Sequence, residues 1–468
     1  MSETKPKIFR DPIYGYVSIS EDLCSNFIDT LIFQRLRRIE QTSMRILYPS
    51  AHHDRFAHSI GVFHLGQIAF SSLRKNSEIH FPELDSDKWD FYKATFEIAC
   101  LMHDCAHSPF SHTFEHYYLY GKGNGIQNKL SEHFKGDDEF IVEYKSASPA
   151  EHEQVSALLL LDLFSEKVVA HCASPQLAAR MIMGCRHKKT LSTFEKFENQ
   201  LISLLNGRGI DVDSLDYIQR DSWISGASNV EIDYERLLSS IVIMPDKHEN
   251  LKIVFKKSAL SVLENISLGR NFLYKWIYSH HIVTYEQFLL TSIIDKINSD
   301  TKQELSNSIF SVDAFKKNVI FNKSSFYLPS DDDIMHIIKQ YYSVGCGLIE
   351  EFLSRKYKYK ALWKTYFEFE VYFSEVSKLN RMIIFSKIKD GELSDKYGKE
   401  NFLCLEAKPK LKSISENDFF IDIDGTLIDA SKAVSMPPQN LEYFILYVSP
   451  QLMNRKAEIL KDILKMQS

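Results

Sequence analysis

The sequence predicts a mainly α-helical protein with a smaller α+β lobe at its C-terminal end, and three observations carry that prediction. From Glu21 to about residue 297, apolar side chains recur at three- and four-residue intervals, the period of a helix with one buried face. In the last third, short runs rich in β-branched and aromatic residues interrupt that period. At 468 residues the chain also exceeds the roughly 250–300 at which one hydrophobic core stops growing, so two lobes are expected, 1–300 and 301–468.

Taken in order, residues 7–20 alternate in polarity around Pro12 and Gly15 and predict a hairpin. Ile28, Leu31, Ile32 and Leu36 then mark a helical face with Arg35, Arg37 and Arg38 opposite. Residues 57–73 predict an amphipathic helix, starting just after Asp54-Arg55. The Gly-, Lys- and Ser-rich stretch 120–150 reads as a mobile loop. Helices resume at Ala150 and continue to about 297, which makes the first lobe all-α. Polar residues 298–310 read as the linker between lobes. Ser330-Asp331-Asp332-Asp333 reads as the cap of a helix reaching about Arg355, with carboxylates at the positive end of its dipole. Strands are expected over 381–388, 402–411, 419–428 and 442–448, and a closing helix over 450–467.

Composition narrows the function classes. The hydrophobic share of 44% and charged share of 25% are those of an ordinary globular protein. A net charge of −6 argues against a protein built mainly to hold nucleic acid, while permitting a local basic pocket. The start, Met1-Ser2-Glu3-Thr4-Lys5-Pro6, is polar and has no signal-peptide pattern. The longest apolar stretch, near 157–164, is too short for a membrane span and contains Asp162. Seven cysteines, scattered and without a Cys-x-x-Cys pair, read as reduced thiols, with Cys105 a packing residue. A cytoplasmic protein with no membrane partner is expected.

The segment Ile98-Ala99-Cys100-Leu101-Met102-His103-Asp104-Cys105-Ala106-His107 opens as an apolar run and turns abruptly polar. Such a run would push His103 and Asp104 out of a buried helix, and imidazole with carboxylate suits a divalent transition metal or Mg²⁺. Ser108-Pro109 reads as a cap that restarts a helix, placing His112, Glu115 and His116 on one face. Eleven of the 17 histidines fall between His52 and His152, which favours a site over a solvated histidine-rich face. Further candidates are His58, after Asp54-Arg55-Phe56-Ala57, and the carboxylates of Gly209-Ile210-Asp211-Val212-Asp213-Ser214-Leu215-Asp216-Tyr217-Ile218-Gln219-Arg220-Asp221.

These three motifs, RFxHSxGV, HDxxHxPFSHxF and GIDVDxxDYxxRD, in this order, resemble the HD-domain deoxynucleoside triphosphate triphosphohydrolases. The similarity extends to the bacterial dGTPases and to the sterile-alpha-motif-and-HD-domain dNTPase, without the sterile-alpha-motif domain. It runs from about Phe9 to residue 297, and more weakly beyond. The resemblance implies an HD-domain helical core followed by a regulatory and oligomerisation lobe. It implies a hydrolase converting dNTP and water to deoxynucleoside and triphosphate through a metal-activated water. The metal ligands it implies are His58, His103, Asp104 and Asp213, holding Mn²⁺, Mg²⁺, Fe²⁺ or Zn²⁺.

Carried over in the same way, His107, His112 and His152 match the catalytic histidines and Glu115 an acidic partner. Arg55 and Arg270 match phosphate-binding positions, and Gln41, Tyr217, Asp221 and Tyr278 surround the sugar and base. Asp29, Gln34 and Arg37, with Arg236, Lys256, Lys360 and Lys364, match a nucleotide-effector site between subunits. A dNTP substrate, a nucleotide effector and a homo-oligomer from dimer to tetramer or hexamer are therefore implied partners, with nucleic acid left open. Depletion of nucleotide pools during phage infection fits a bacterial chain of this type. Departures are Ala106 for a glycine, Ser214 for a phosphate-touching lysine, Ser279 for a glutamine, Thr42 for an apolar residue, and Arg10 and Ser258 at the effector site.

Two further enzyme or binding readings stand beside this one. The same metal site would serve a nucleoside monophosphate, a cyclic nucleotide or single-stranded nucleic acid. The loss of lysine at Ser214 also fits a nucleotide-sensing protein with weak catalysis. Asp422-Ile423-Asp424-Gly425-Thr426 looks like a haloacid-dehalogenase motif, but no later motif follows, so an Asp-Gly turn is expected. His52-His53 and His280-His281 read as loop or pocket-edge residues, and the basic run 355–360 as a solvated or effector-binding face.

Overall fold

In the computed structural model, the structure describes residues 5–120, 125–189, 191–207, 209–227, 231–343, 347–407, 419–434 and 443–467. The N-terminal hairpin forms as expected: β1 (Lys7–Asp11) pairs antiparallel with β2 (Gly15–Ile19). Gly15 takes a φ of 77° at the turn, a conformation that costs a residue without Cβ little. Asp11 closes the turn by accepting from the amides of Ile13 and Tyr14 through Oδ1.

Helices dominate the rest, in a mainly α fold with small sheets. Residues 21–38 are helical as expected, in two short pieces: one over 21–28, and α1 (Leu31–Arg35), which ends in a tight turn over Leu36–Arg38. Arg35 does not face solvent with Arg37 and Arg38. It is 6% exposed, and its Nε donates to the Pro329 carbonyl at 2.6 Å. The central helix α2 (Arg55–Ser77) starts from an Asp54 cap and is buried on most sides of its first four turns. Phe63 and Phe70 on it are fully buried, each stabilising by about 1.5–3 kcal/mol. α3 (Ser86–Met102) packs along it and ends at His103.

Several expectations need correction. Residues 108–116 do not restart a helix. Phe110 and Ser111 take left-handed φ values of 56° and 52°, followed by a single tight turn over Ser111–Thr113. Proline fits a turn as well as a helix start, so Ser108-Pro109 was ambiguous. The stretch 120–150 holds helices over Ile126–His133 and Phe140–Ala147, whose apolar sides join the core through Leu130 and Phe140. Residues 1–300 are not all-α. After α4 (Glu151–Leu159), α5 (Pro175–Ile182) and α6 (Val212–Ser225) comes an antiparallel hairpin, β3 (Ile241–Pro245) and β4 (Leu251–Lys256).

α7 (Leu260–Phe272) and α8 (His281–Asp300) follow. The polar stretch 298–310 carries the end of α8 and a short helix, and it buries Leu305, Ile309 and Phe310. A small hairpin, β5 (Val319–Phe321) and β6 (Ser324–Phe326), precedes α9 (Asp331–Gln340), which Ser330 caps reciprocally with Asp333. The helix does not reach Arg355 unbroken: a second one covers Gly347–Ser354. Residues 381–388 are not a strand but the middle of α10 (Lys378–Asp390), whose Ile384 and Ile388 are buried four residues apart. A run of apolar residues this short fits either period.

Strands form over most of 402–411 and 442–448 as expected, whereas 419–428 splits into two antiparallel strands and the short strand at Lys360–Ala361 was not expected. β7 (Lys360–Ala361), β8 (Phe402–Ala407) and β11 (Tyr443–Val448) form one sheet in the order β7-β11-β8. Residues 408–411 and 442 of the expected strands lie outside the described residues. β9 (Phe420–Ile423) and β10 (Thr426–Asp429) make a hairpin around Asp424-Gly425. There Asp422 accepts from the Gly425 amide at 2.7 Å and Asp424 pairs with Lys257, as a turn and not a phosphatase motif. β9 runs parallel to β4, so strands from the last quarter of the chain complete the β3-β4 sheet. The end of the chain turns into α11 (Lys456–Leu464). Among the described residues no helix is long and apolar enough to cross a membrane.

Candidate metal centre and active-site cavity

Three helix ends bring the metal-competent side chains together. His58 lies in the first turn of α2, fixed by the Asp54 cap that accepts from the Ala57 amide at 2.9 Å. His103 caps the C-terminal end of α3, and Asp213 lies in the first turn of α6. His58 Nε2 is 3.3 Å from His103 Nε2 and 3.0 Å from Asp213 Oδ1. Asp104 adds Oδ2 at 3.7 Å from His58 Nε2 and Oδ1 at 3.6 Å from His103 Nε2. His58, His103 and Asp104 are buried, while the Asp213 side chain keeps 41% exposure and opens the group to the cavity.

The donor chemistry tests whether a cation fits. His103 Nδ1 faces the Cys100 carbonyl at 2.8 Å, and a carbonyl only accepts, so Nδ1 carries the proton. His58 Nδ1 donates in the same way to Asp216 Oδ2 at 2.7 Å. In their neutral forms both rings turn bare Nε2 lone pairs toward each other, an arrangement that repels unless a proton or cation lies between them. Two imidazoles oriented by such partners, with nearby carboxylates, fit a divalent metal. Without an ion, burial disfavours the His58 cation, but its bonds to Asp213 and Asp216 raise its pKa to about 10. The Asp104 carboxyl sits well below its ordinary range: burial opposes ionisation, and His103, Arg55, His107 and His58 outweigh it.

Asp216 and Arg220, fixed letters of the third motif to which the sequence assigned no role, hold His58 from behind. Arg220 grips Asp216 with Nε at 2.9 Å and Nη2 at 3.0 Å, and its Nη1 reaches Asp11 Oδ2 at 2.9 Å. All three side chains are 6% exposed or less. A charge chain thus runs from the hairpin through α6 to His58. It also dictates the glycine of the first motif: a Cβ on Gly61 would lie 1.9 Å from Asp216 Oδ1 and 2.5 Å from Arg220 Nη2. The signal was present in the sequence, since a helical Asp and Arg four residues apart pair on one face.

Next to Asp104 lies a second group. His107, His112 and His152 turn Nδ1 atoms toward Glu115 Oε1 at 3.0, 3.1 and 3.0 Å. His107 stacks on His152 with centroids 4.2 Å apart. Their Nε2 atoms point back to Asp104 Oδ1 at 4.0 and 3.8 Å. Burial, then Arg55 and His152, push the His107 pKa well down. His152 rises to about 9, because Glu115 and Asp104 overcome its burial. The His112 side chain is 66% exposed and lines the cavity. His107, His112, Glu115 and His152 also satisfy the spacing of a metal-holding group, as do His58, His103 and Asp213.

Arg55 ties this floor to its rim. It donates from Nη1 to Asp104 Oδ2 at 2.7 Å, from Nε to Ser111 Oγ at 3.0 Å and from Nη2 to the Gln41 carbonyl at 3.1 Å. Two of its five N–H groups stay available. The cavity above measures about 1080 Å³, at the upper end for small-molecule sites. Gln41, Tyr217, Asp221, Arg270 and Tyr278 all line it. Gln41 Oε1, Tyr217 OH and Arg270 Nε are buried there with no hydrogen-bond partner in the protein. Asp221 is fully buried between Tyr278 OH and His53 Nε2, the latter at 2.6 Å. His53 lies in a loop, as expected, and braces the cavity wall from behind through Asp221 without lining the cavity itself. His280 and His281 differ again, with Lys364 close enough to depress both after burial.

Ser214 is 2% exposed and faces its own helix cap: its Oγ donates to the Asp211 carbonyl at 2.9 Å and accepts from the Asp211 amide at 3.2 Å. It presents no cation to the cavity. Arg186 and Lys188, not anticipated from the sequence, line the cavity instead, with the Lys188 amide held by the buried Glu143 at 2.7 Å.

The residues expected at an effector site fall into two sets. Asp29, Gln34 and Arg37 share the corner around α1: Arg37 Nε donates to Gln34 Oε1 at 3.0 Å, Gln34 Nε2 donates to the Ile28 carbonyl, and Lys7 pairs with Asp29. Arg236, Lys256, Lys360 and Lys364 are exposed on four other segments.

The chain is similar to several known proteins. Over 343 residues the chain is 27% identical to MG461 of Mycoplasma genitalium, an uncharacterized protein, covering 70% of this chain and 71% of that one. Over 293 residues it is 28% identical to the deoxynucleoside triphosphate triphosphohydrolase SAMHD1 homolog of Dictyostelium discoideum, covering 62% and 49%. The resemblance to the HD-domain triphosphohydrolase family holds. Apart from MG461 of Mycoplasma genitalium, the chain spans about half the length of the curated relatives it matches, 45–56% for four of them. A solved phosphohydrolase from Bacteroides thetaiotaomicron shares the fold, with a TM-score of 0.62 and 19% identity over 95% of this chain and 100% of that one. No protein-family model matches the chain.

Proposed function

We propose that this protein is a divalent-metal-dependent phosphohydrolase that cleaves dNTPs to deoxynucleoside and triphosphate. The observation that carries the reading is the continuity of one cavity. It runs from Asp104 and Asp213, the two carboxylates of the cluster that line it, to buried, unpartnered polar atoms of Gln41, Tyr217 and Arg270, with His58 and His103 packed behind those carboxylates. A polar ligand of nucleotide size satisfies both ends. A Mn²⁺, Mg²⁺, Fe²⁺ or Zn²⁺ ion held by the four ligands would supply Lewis-acid polarisation of a phosphate and a lowered pKa for water.

The chain's own residues do the rest. The free N–H groups of Arg55 and the Nε of Arg270 hold phosphate oxygens, where a planar fork matches their geometry. Glu115 keeps His107 and His152 oriented beside Asp104, and the exposed His112 is the imidazole with access to a leaving oxygen. Tyr278 and Asp221, locked together, form the wall expected beside the sugar, and an added 2′-hydroxyl there would meet a packed ring. The relatives named as dNTP triphosphohydrolases support the substrate class. In this reading residues 1–300 are the catalytic core and 301–468 a regulatory and oligomerisation lobe. Asp29, Gln34 and Arg37, with Arg236, Lys256, Lys360 and Lys364, bind a nucleotide effector in a cytoplasmic homo-oligomer.

Ser214 favours one second reading. With no cation at that position, a substrate carrying fewer phosphates, such as a nucleoside monophosphate, loses nothing. Product analysis with each dNTP and dNMP in Mn²⁺ decides. Release of intact triphosphate supports the first reading; inorganic phosphate from dNMPs alone supports the second, and binding without turnover rejects both.

A further inference from the structure

The turn that carries Ser111 and His112 is held by a residue more than two hundred positions away. Asp331, at the start of α9, accepts from the Phe110 amide through Oδ1 at 2.7 Å and from the Glu40 amide through Oδ2 at 2.9 Å. It is 7% exposed. Phe110 is the first of two consecutive left-handed residues, a conformation that side chains with a Cβ disfavour and that needs outside support to persist. From this turn Ser111 Oγ accepts from Arg55 and donates to the Glu40 carbonyl, and Arg55 holds Asp104 and the Gln41 carbonyl. The two amides that Asp331 holds therefore belong to the two segments that Arg55 and Ser111 link on the cavity side. Arg35, buried beside it, fixes the Pro329 carbonyl just ahead of α9.

We propose that Asp331 is a positioning residue of the active site. Its carboxylate clamps the Phe110 and Glu40 backbones so that Ser111, His112 and Gln41 keep their places in the cavity. It touches no reacting atom and acts through those amides. The proposal rests on the hydrolase reading for its kinetic consequence, but not for the clamp itself.

The test compares Asp331→Ala and Asp331→Asn with Asp332→Ala, whose side chain is 72% exposed and pairs with Arg38 at the surface. Full-length proteins are assayed for dNTP turnover, bound metal and backbone hydrogen exchange. Displacing a positioned group by about 1 Å costs up to about a hundredfold in rate. Asp331→Ala should lower kcat at least about tenfold with KM changed less than about threefold. It should also raise exchange selectively in peptides covering 39–42 and 108–113, with metal content unchanged. Asp331→Asn, which keeps one acceptor oxygen, should recover part of both effects, and Asp332→Ala should match wild type. Unchanged kcat, or a loss accompanied by equally faster exchange throughout the chain, overturns the proposal. Should wild type hydrolyse no dNTP, the function reading fails, and exchange at 39–42 and 108–113 still decides the clamp. Protection equal to wild type in Asp331→Ala overturns it.

Discussion

His53 Nε2 lies 2.6 Å from Asp221 Oδ1, and both side chains are buried, at 5% and 1% exposure. Tyr278 OH takes the other carboxylate oxygen. Asp221 is thus clamped from two sides before any ligand arrives. Removing one partner of a buried hydrogen bond costs about 1–3 kcal/mol, because the remaining group stays desolvated. His53→Ala should therefore lower stability by that amount in urea unfolding and raise KM for dNTPs. Combined with Asp221→Asn it should be markedly non-additive, with a coupling of about 0.5–3 kcal/mol. Additive effects in this double-mutant cycle would show that the pair does not act as a unit.

Gly61→Ala should be among the most damaging single changes in the chain. The added Cβ would sit 1.9 Å from Asp216 Oδ1, inside the chain from Asp11 through Arg220 to His58. Either the helix shifts or the buried ion pair breaks, and breaking such a pair costs about 3–5 kcal/mol. A soluble variant should lose bound metal as well as stability. Wild-type melting temperature with full metal content would remove the constraint.

His103→Ala and Asp213→Ala should abolish metal retention while leaving the far-ultraviolet circular dichroism of a helical protein. Each removes a ligand atom from the cluster around His58 Nε2. Metal analysis after dialysis reads the result directly. Retention by His103→Ala, with His107→Ala losing it, would shift the metal to the Glu115 group.

Burial pushes the Asp331 carboxyl up to about 7, with Glu40 adding to the rise and the two backbone amides and Arg35 opposing it. Between the ordinary carboxylate pKa of about 4 and that value, the folded protein binds a proton that the unfolded chain has lost. This group's contribution to stability is therefore full below about pH 4, falls as pH rises to about 7 and is level above it. Asp331→Asn removes the titration, so its stability relative to wild type should improve between pH 5 and pH 8, by on the order of 1–3 kcal/mol. A stability difference that is flat over this range, measured by urea unfolding, would count against a buried, proton-binding Asp331.

The sequence alone determined the helical class, the N-terminal hairpin and the positions of the ligand-bearing motifs. Those features are local: periodicity, caps and turn residues act over a few neighbours, so His103 at the end of an apolar run and Asp424-Gly425 in a turn were readable without a fold. Where local signals fit two answers, tertiary packing chose. Residues 381–388 became helix because Ile384 and Ile388 found a buried face, and Ser108-Pro109 became a left-handed turn held from α9. The parallel pairing of β9 with β4, the burial of His53 against Asp221, and the links of Arg220 to Asp11 and of Asp216 to His58 were decided only there. Each joins residues more than 150 positions apart. Whether a charge ends in solvent or in a buried pair depends on which remote group arrives opposite it.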